Sequence, residues 1–274
     1  GIAIILVARR LLPASTPRKQ RQSLDPVGVL LFAVAVVLVL FPLVEGGQGE
    51  PLSARPWWLL GVAAAFGLAF VLWERLWLRR GKETLIDLAL LKVPAYVFGL
   101  SLGTFYFAGF TAIFLITTLY LQVGLHYTAL QAGLTTTPFA VGAAVSALVS
   151  GRLVERLGRW LAVIGLVMIS AGLVLIDLLV PHLSGSVGAK LAPAFLLAGL
   201  GGGLVVTPNV TLTLAEVDPV HAGSGGGMLQ TAQRVGSAIG VAVILAQFFA
   251  SLGTSRGDYG AALSVALRTT IGFI

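Results

Sequence analysis

Of the 274 residues in this chain, 57% are hydrophobic and only 11% charged, with a mean hydropathy of +0.95. A soluble domain carries about a quarter charged residues because its surface must be solvated, so an ordinary soluble globular protein is excluded and lipid is the natural solvent. The net charge of +7 would suggest nucleic acid in a soluble protein, but the basic residues lie between apolar runs and read as topology signals; no nucleic-acid partner is expected.

Residues 1–8 (GIAIILVA) are apolar but too short to span, and Arg9 and Arg10 follow them. A signal peptide has its basic region in front. Residues 1–12 therefore read as the end of a truncated spanning helix, and 261–274 as an apolar helix that stops without a basic exit. Both ends look cut, so a fragment is expected. Between them, seven segments have the roughly 20 apolar residues that a spanning helix needs: 27–44, 56–76, 96–120, 129–150, 161–180, 189–214 and 228–250. In lipid, helices are favoured over an open sheet because each satisfies its own backbone. The expected fold is all-α, a polytopic transmembrane helix bundle.

The helix boundaries carry their own chemistry. Asp25-Pro26 places a capping acceptor before a proline at the first helical position. Pro56 is expected to open the second helix, and Val180-Pro181-His182, followed by Gly185 and Gly188, to close the fifth. The segment 84–95 (TLIDLALLKVP at its core) is too short to span and reads as an interfacial connector. It divides 13–83, a loop and two spanning helices, from 96–274.

Lys and Arg alternate across these segments. One set of loops holds fourteen: Arg9, Arg10, Arg18, Lys19, Arg21, Arg75, Arg79, Arg80, Lys82, Lys92, Arg152, Arg156, Arg159 and Arg234. The other holds Arg55, Lys190 and Arg256. The positive-inside rule puts the first set in the cytoplasm.

Cysteine is absent, and His126, His182 and His221 are scattered without ligand spacing, so neither thiolate nor metal chemistry is expected. No nucleophile–base pair can be assembled either. The chain does not read as an enzyme, and no cofactor is expected. The glycine runs 199–203 and 223–227 do not follow a strand, as a dinucleotide fingerprint must. With the GxxxG pairs Gly99/Gly103 and Gly236/Gly240 they read as sites of close helix approach.

Residues 151–159 (GRLVERLGR) form the most informative short motif, expected as a tight loop between two spanning helices. A plain basic loop accounts for the arginines but not for an acid set between glycines. The segment resembles the loop signature of the major facilitator superfamily, with Gly151, Arg152, Glu155, Arg156, Gly158 and Arg159 as the motif residues and Glu155 in the acid position. Three further segments, LYLQ at 119–122 with Gln131, Gly133 and Pro138, GLGGGLVVTP at 199–208, and AGSGGGMLQTAQRVG at 222–236, are similar to the fourteen-helix drug:proton antiporters of EmrB/QacA type. The resemblance runs the length of the chain: two extra central helices, then a C-terminal six-helix half whose last helix is incomplete.

That resemblance implies a secondary transporter of the bacterial cytoplasmic membrane that exports small, lipophilic or cationic, drug-like molecules in exchange for protons by alternating access. Its partners would be the substrate, protons, the bilayer and a missing N-terminal half holding the family's best proton-coupling residues. It also implies that segments 96–120 and 189–214 line the central cavity, with Phe107, Thr111, Phe114, Thr207 and Asn209 as candidate cavity residues. Aromatic rings with sparse polar groups suit lipophilic cations. Asp177 is a candidate proton-coupling residue because an intramembrane acid is costly to bury, although it could also reach the headgroups. Glu74 is expected at the interface, Arg234 to snorkel, and Gln230 and Gln233 to make polar contacts between halves. A specific metabolite exporter of the same superfamily and a non-transporting membrane scaffold remain alternatives.

Overall fold

Backbone groups in lipid have to be satisfied within their own segment, and each described apolar segment of this chain is a helix. In a computed structural model, residues 25–45, 56–79, 88–183, 185–219 and 222–274 are described. Among them are eight α-helices and no strand: α1 Pro26–Glu45, α2 Trp58–Arg79, α3 Pro94–Thr118, α4 Ala129–Leu157, α5 Arg159–Leu179, α6 Val187–Leu214, α7 Ala222–Thr254 and α8 Tyr259–Phe273. The expected segment at 1–12 and most of the loop before α1 lie outside the described residues, as do 80–83 and residues 84–87 of the connector.

Six helices are long and apolar enough to cross a membrane, the α3 span running on to Gly124 and the α5 span to His182. The seventh expected span, 27–44, is a helix of 20 residues, but its apolar stretch Pro26–Pro42 falls below that length. Large apolar side chains stand on the outside of the bundle, among them Phe98, Trp58 and Leu148 (82% exposed). α2 has tryptophans near both ends, with Trp73 and Trp77 stacked at 5.2 Å. From Trp58 to Trp77 the helix rises about 28 Å, close to the hydrocarbon thickness that aromatic belts bracket.

Local sequence sets the helix starts. Asp25 Oδ1 accepts from Gly28 N at 2.9 Å, the N-cap bond expected from Asp25-Pro26. Thr128 and Gln131 form a reciprocal capping box at the start of α4, and Asp258 accepts from Gly260 and Ala261 at the start of α8. Pro56 does not open α2. The helix begins at Trp58, with the Pro56 carbonyl accepting from Leu59 N.

Residues 151–159 are not a loop. α4 continues as a helix through Leu157, and the chain turns at Gly158 alone before α5 begins at Arg159. Nothing in GRLVERL opposes a helix, whereas Gly158 adopts φ 54°, ψ −128°, open only to glycine. Glu74 is also not interfacial: it is fully buried, because its face of α2 packs beneath the first turn of α1, beside Gly28.

The bundle is two triplets. α6 lies between α4 and α5, α3, α7 and α8 all pack against one another, and α3 meets α6 along the middle; α1 of the α1–α2 hairpin rests on α7. Glycine permits the closest approaches: Gly240 of α7 rides against the Ala108 carbonyl of α3, and Gly201 of α6 against Gly165 of α5. Of the expected GxxxG pairs, Gly236/Gly240 sits at such a crossing, whereas Gly99/Gly103 makes room for the side chains of Thr213, Asn209 and Gln233. One continuous core, with Ile113, Ile116, Phe139, Leu173, Phe195 and Phe248 among its buried residues, draws on helices of both triplets.

Candidate functional site

α3 carries the aromatic wall. Phe107, Phe110 and Phe114 recur every three to four residues, so they share one face, and Phe139 of α4 closes the set. Ring centroids are 5.6 Å apart for Phe107–Phe110 and Phe110–Phe114, 5.8 Å for Phe110–Phe139 and 5.0 Å for Phe114–Phe139. Tyr106 stacks on Phe110 at 5.3 Å, and its hydroxyl donates to the Gly202 carbonyl of α6 at 3.4 Å. Thr111 is exposed on the same helix, 2.8 Å from the Ser237 hydroxyl of α7. Offset and edge-on rings at these spacings make a stiff apolar surface with polarisable faces.

Thr207 and Asn209 belong to α6. Thr207 is half-buried, and its carbonyl accepts from Thr211. Asn209 is buried and lies away from the phenylalanines: it faces Gly103, seven residues before Phe110, or about 10 Å along the helix. Gln233 of α7 faces the same glycine, and Thr213 hydrogen-bonds Asn209. Asn209, Thr213 and Gln233 form a small interior polar patch, permitted by the missing side chains of Gly99 and Gly103. Gln233 therefore makes its contact inside this bundle, while Gln230 is exposed.

Where α3 and α5 begin and α6 ends, a cleft of about 910 Å³ opens. Phe98, Leu102, Leu166 and Leu212 form its walls; Asn209 and Thr213 lie in it, and Arg159 and Glu216 line it as well. It thus joins three residues singled out from sequence, Gly158, Arg159 and Asn209. The other motif residues, Gly151, Arg152, Glu155 and Arg156, are exposed along the last turns of α4.

Asp177 lies near the far end of α5. Its Oδ2 accepts from Arg268 Nε of α8 at 2.9 Å. Sequence reasoning passed over Arg268, a single cation in an apolar terminal segment, and Phe139 as a member of the wall; Phe110 was seen on the expected cavity helix but not placed on the face of Phe107 and Phe114. The three-to-four-residue spacing from Phe107 could have revealed Phe110; nothing local marks Phe139.

Residues 4–241 match the Major Facilitator Superfamily. The chain is 35% identical, over 95% of its length and 46% of the relative's, to the "Probable actinorhodin transporter" of Streptomyces coelicolor. It is 31% identical to the puromycin resistance protein pur8 of Streptomyces alboniger, over 98% of the chain and 53% of that protein. To the multidrug resistance protein Stp of Mycobacterium tuberculosis it is 30% identical, over 82% and 41%. The chain spans about half the length of the curated relatives it matches. A bundle of membrane-length helices, an arginine- and glycine-marked helix junction and a match over most of its residues lead to one assignment: the chain belongs to the Major Facilitator Superfamily, a family of transporters rather than enzymes.

Proposed function

We propose that the protein exports small lipophilic or cationic molecules across the bacterial cytoplasmic membrane in exchange for protons, by alternating access. The observation that carries this is the set of relatives named for transport of, or resistance to, different compounds, aligned over 82–98% of this chain. The aromatic wall on α3 supports it: Phe107 and Phe114 offer apolar contact and cation–π attraction to a lipophilic cation, with Thr111 and Thr207 as sparse polar partners and Asn209 farther along the α3–α6 seam, toward the cleft.

In this reading the described helices from α3 to α8 form one of two bundles that rock about a midplane site, and the basic ends face the cytoplasm. The missing half supplies the opposite wall. Gly151, Arg152, Glu155, Arg156, Gly158 and Arg159 form the cytoplasmic junction whose charge contacts bias which side is open. Residues 84–95 connect the α1–α2 hairpin to that bundle along the interface.

The test is export of a fluorescent lipophilic cation from cells expressing the protein from its full gene. Export should collapse with an uncoupler. Export that survives the uncoupler but stops on ATP depletion would overturn the antiport reading. A second reading is a specific exporter, favoured by the 35%-identical relative named for a single compound. In vesicles, a specific carrier ignores competition from unrelated cationic dyes and a multidrug carrier does not.

A further inference from the structure

Two carboxamides are buried inside the bundle with their nitrogens unused. Asn209 of α6 and Gln233 of α7 are 6% and 5% exposed. Among the described residues nothing accepts from Asn209 Nδ2, and the Gln233 carboxamide forms no hydrogen bond. Burying an amide without a partner is costly. Both nitrogens face the bare Cα of Gly103 on α3: a Cβ there would lie 3.0 Å from Asn209 Nδ2 and 3.4 Å from Gln233 Nε2. The Thr213 hydroxyl lies 3.4 Å from Asn209 Oδ1, so Asn209 turns its oxygen to Thr213 and its nitrogen to the space over Gly103. Two N–H donors converge there on no acceptor of the described residues.

That space is the inner end of the cleft between α3, α5 and α6. Phe98 and Leu102 line the cleft, and Asn209 and Thr213 lie in it. Gly103 is nine residues past Pro94, the lining residue at the start of α3, or about 13 Å along the helix. A volume of about 910 Å³ suits a drug-sized molecule. Among the lining residues only Arg159 and Glu216 are ionisable, and both are exposed. Glu216 is seven residues beyond Asn209, about 10 Å away along α6. A charged group at the inner end would therefore be buried without a counter-charge. An uncharged acceptor fits. A carbonyl oxygen has two lone pairs and can take both N–H donors, while the rest of the molecule lies along Phe98, Leu102, Leu166 and Leu212.

We infer that this cleft is a second small-molecule site, for uncharged lipophiles that carry a carbonyl group. Asn209 reads the carbonyl from α6, and Gln233 reaches it from α7 across Gly103. The site stands apart from the aromatic wall around Phe107 and Phe114, which suits cations. The inference rests on the exporter reading for its place in transport, and its test measures binding alone.

The test compares two ligands of one shape. Acetylnaphthalene and isopropenylnaphthalene differ only in C=O against C=CH₂. Each competes with the fluorescent ketone propionyl-dimethylaminonaphthalene for the protein, expressed from its full gene and held in lipid nanodiscs, with empty discs as background. The preference for ketone over alkene should fall about tenfold when Asn209→Leu and Gln233→Met are combined, and about threefold for either alone, as two amide hydrogen bonds are lost. Gly103→Ala keeps both amides but fills the space between them, and should lower the preference as far. Its new Cβ meets only the side chains of Asn209 and Gln233, so it keeps the test open if the double variant does not fold. The bound probe should also emit at longer wavelength in wild type than in Gln233→Met, because its carbonyl accepts hydrogen bonds there. A preference equal in wild type and Gly103→Ala overturns the site, whether water or the two amides themselves use the donors. So does a probe emission that Gln233→Met leaves unchanged. Export of a cationic dye measured in parallel separates the two ideas. Proton-driven export without the ketone preference removes this site and leaves the exporter reading standing, and the converse removes antiport alone.

Discussion

Gly158 and Gly151 bracket one motif but do different work. Gly158 holds φ 54° with ψ −128°, and its N–H closes the last turn of α4 on the Val154 carbonyl at 2.8 Å. A Cβ there would touch nothing, so Gly158→Ala isolates backbone strain. It should destabilise by about 1–3 kcal/mol. Gly151 is helical and also open; Gly151→Ala should stabilise by up to about 1 kcal/mol through helix propensity. Thermal unfolding of the purified protein in detergent measures both, and equal shifts would refute the strain account. Phe107 and Phe105, two residues apart, differ as sharply. Phe107 joins the aromatic wall, whereas Phe105 is 59% exposed on another face. Phe107→Ala should alter dye affinity about tenfold, the loss of roughly one aromatic contact of 1.4 kcal/mol, while Phe105→Ala leaves it unchanged. Concentration-dependent export rates decide this, and an equal effect at both positions would place the substrate elsewhere.

Helices and their ends were legible because their signals are local. Asp25-Pro26 announces the start of α1, and apolar length announces each span. The partners across helices were not legible. Asp25 accepts from Trp73 Nε1 at 3.1 and 2.9 Å across 48 residues, and Arg268 finds Asp177 across 91. No spacing rule encodes such pairs, since they depend on which helix faces which. For the same reason Glu74, beside Arg75 in sequence, read as interfacial yet is buried under α1. The loop expected at 151–159 failed differently: its charges suggested solvent, but charge does not stop a helix, and only Gly158 does. On the candidate aromatic wall, residues on one face of α3 were recoverable from spacing, while the position of Asn209 depended on where Gly103 makes room for its side chain. The α1–α2 clamp gives a direct test. Asp25→Ala removes the cap and both contacts to Trp73, and should destabilise the hairpin by about 2–3 kcal/mol. Asp25→Asn keeps an acceptor for Gly28 N and should cost less. Hydrogen exchange over Pro26–Glu45 should rise in that order; an unchanged rate in Asp25→Ala would show that α7 alone holds α1.

Sidedness is a property of the full bundle, and the structure constrains it without a membrane. The cleft that joins Pro94, Arg159 and Glu216 puts the start of α3, the start of α5 and the end of α6 at one face. The Tyr96 hydroxyl, 2.8 Å from the Gly225 carbonyl, adds the start of α7. Lys92, Arg152, Arg156, Arg159 and Arg234 gather toward that face, while Lys190 lies at the other end of α6 and Arg256 beyond the far end of α7. In the proposed orientation, that excess of Lys and Arg puts this face on the cytoplasmic side. α6 makes the test compact. Its 28 residues rise about 42 Å, longer than a hydrocarbon core of about 30 Å, so both ends reach water. Ser186 before it and Ala215 after it are exposed, and the chain has no cysteine. In intact cells an impermeant maleimide should label Ser186→Cys and spare Ala215→Cys and Gly151→Cys; after permeabilisation all three should react. The opposite pattern would invert the orientation, and with it the assignment of the Gly151–Arg159 junction to the cytoplasmic side. Labelling of Ser186→Cys and Ala215→Cys together in intact cells would mean that α6 does not span.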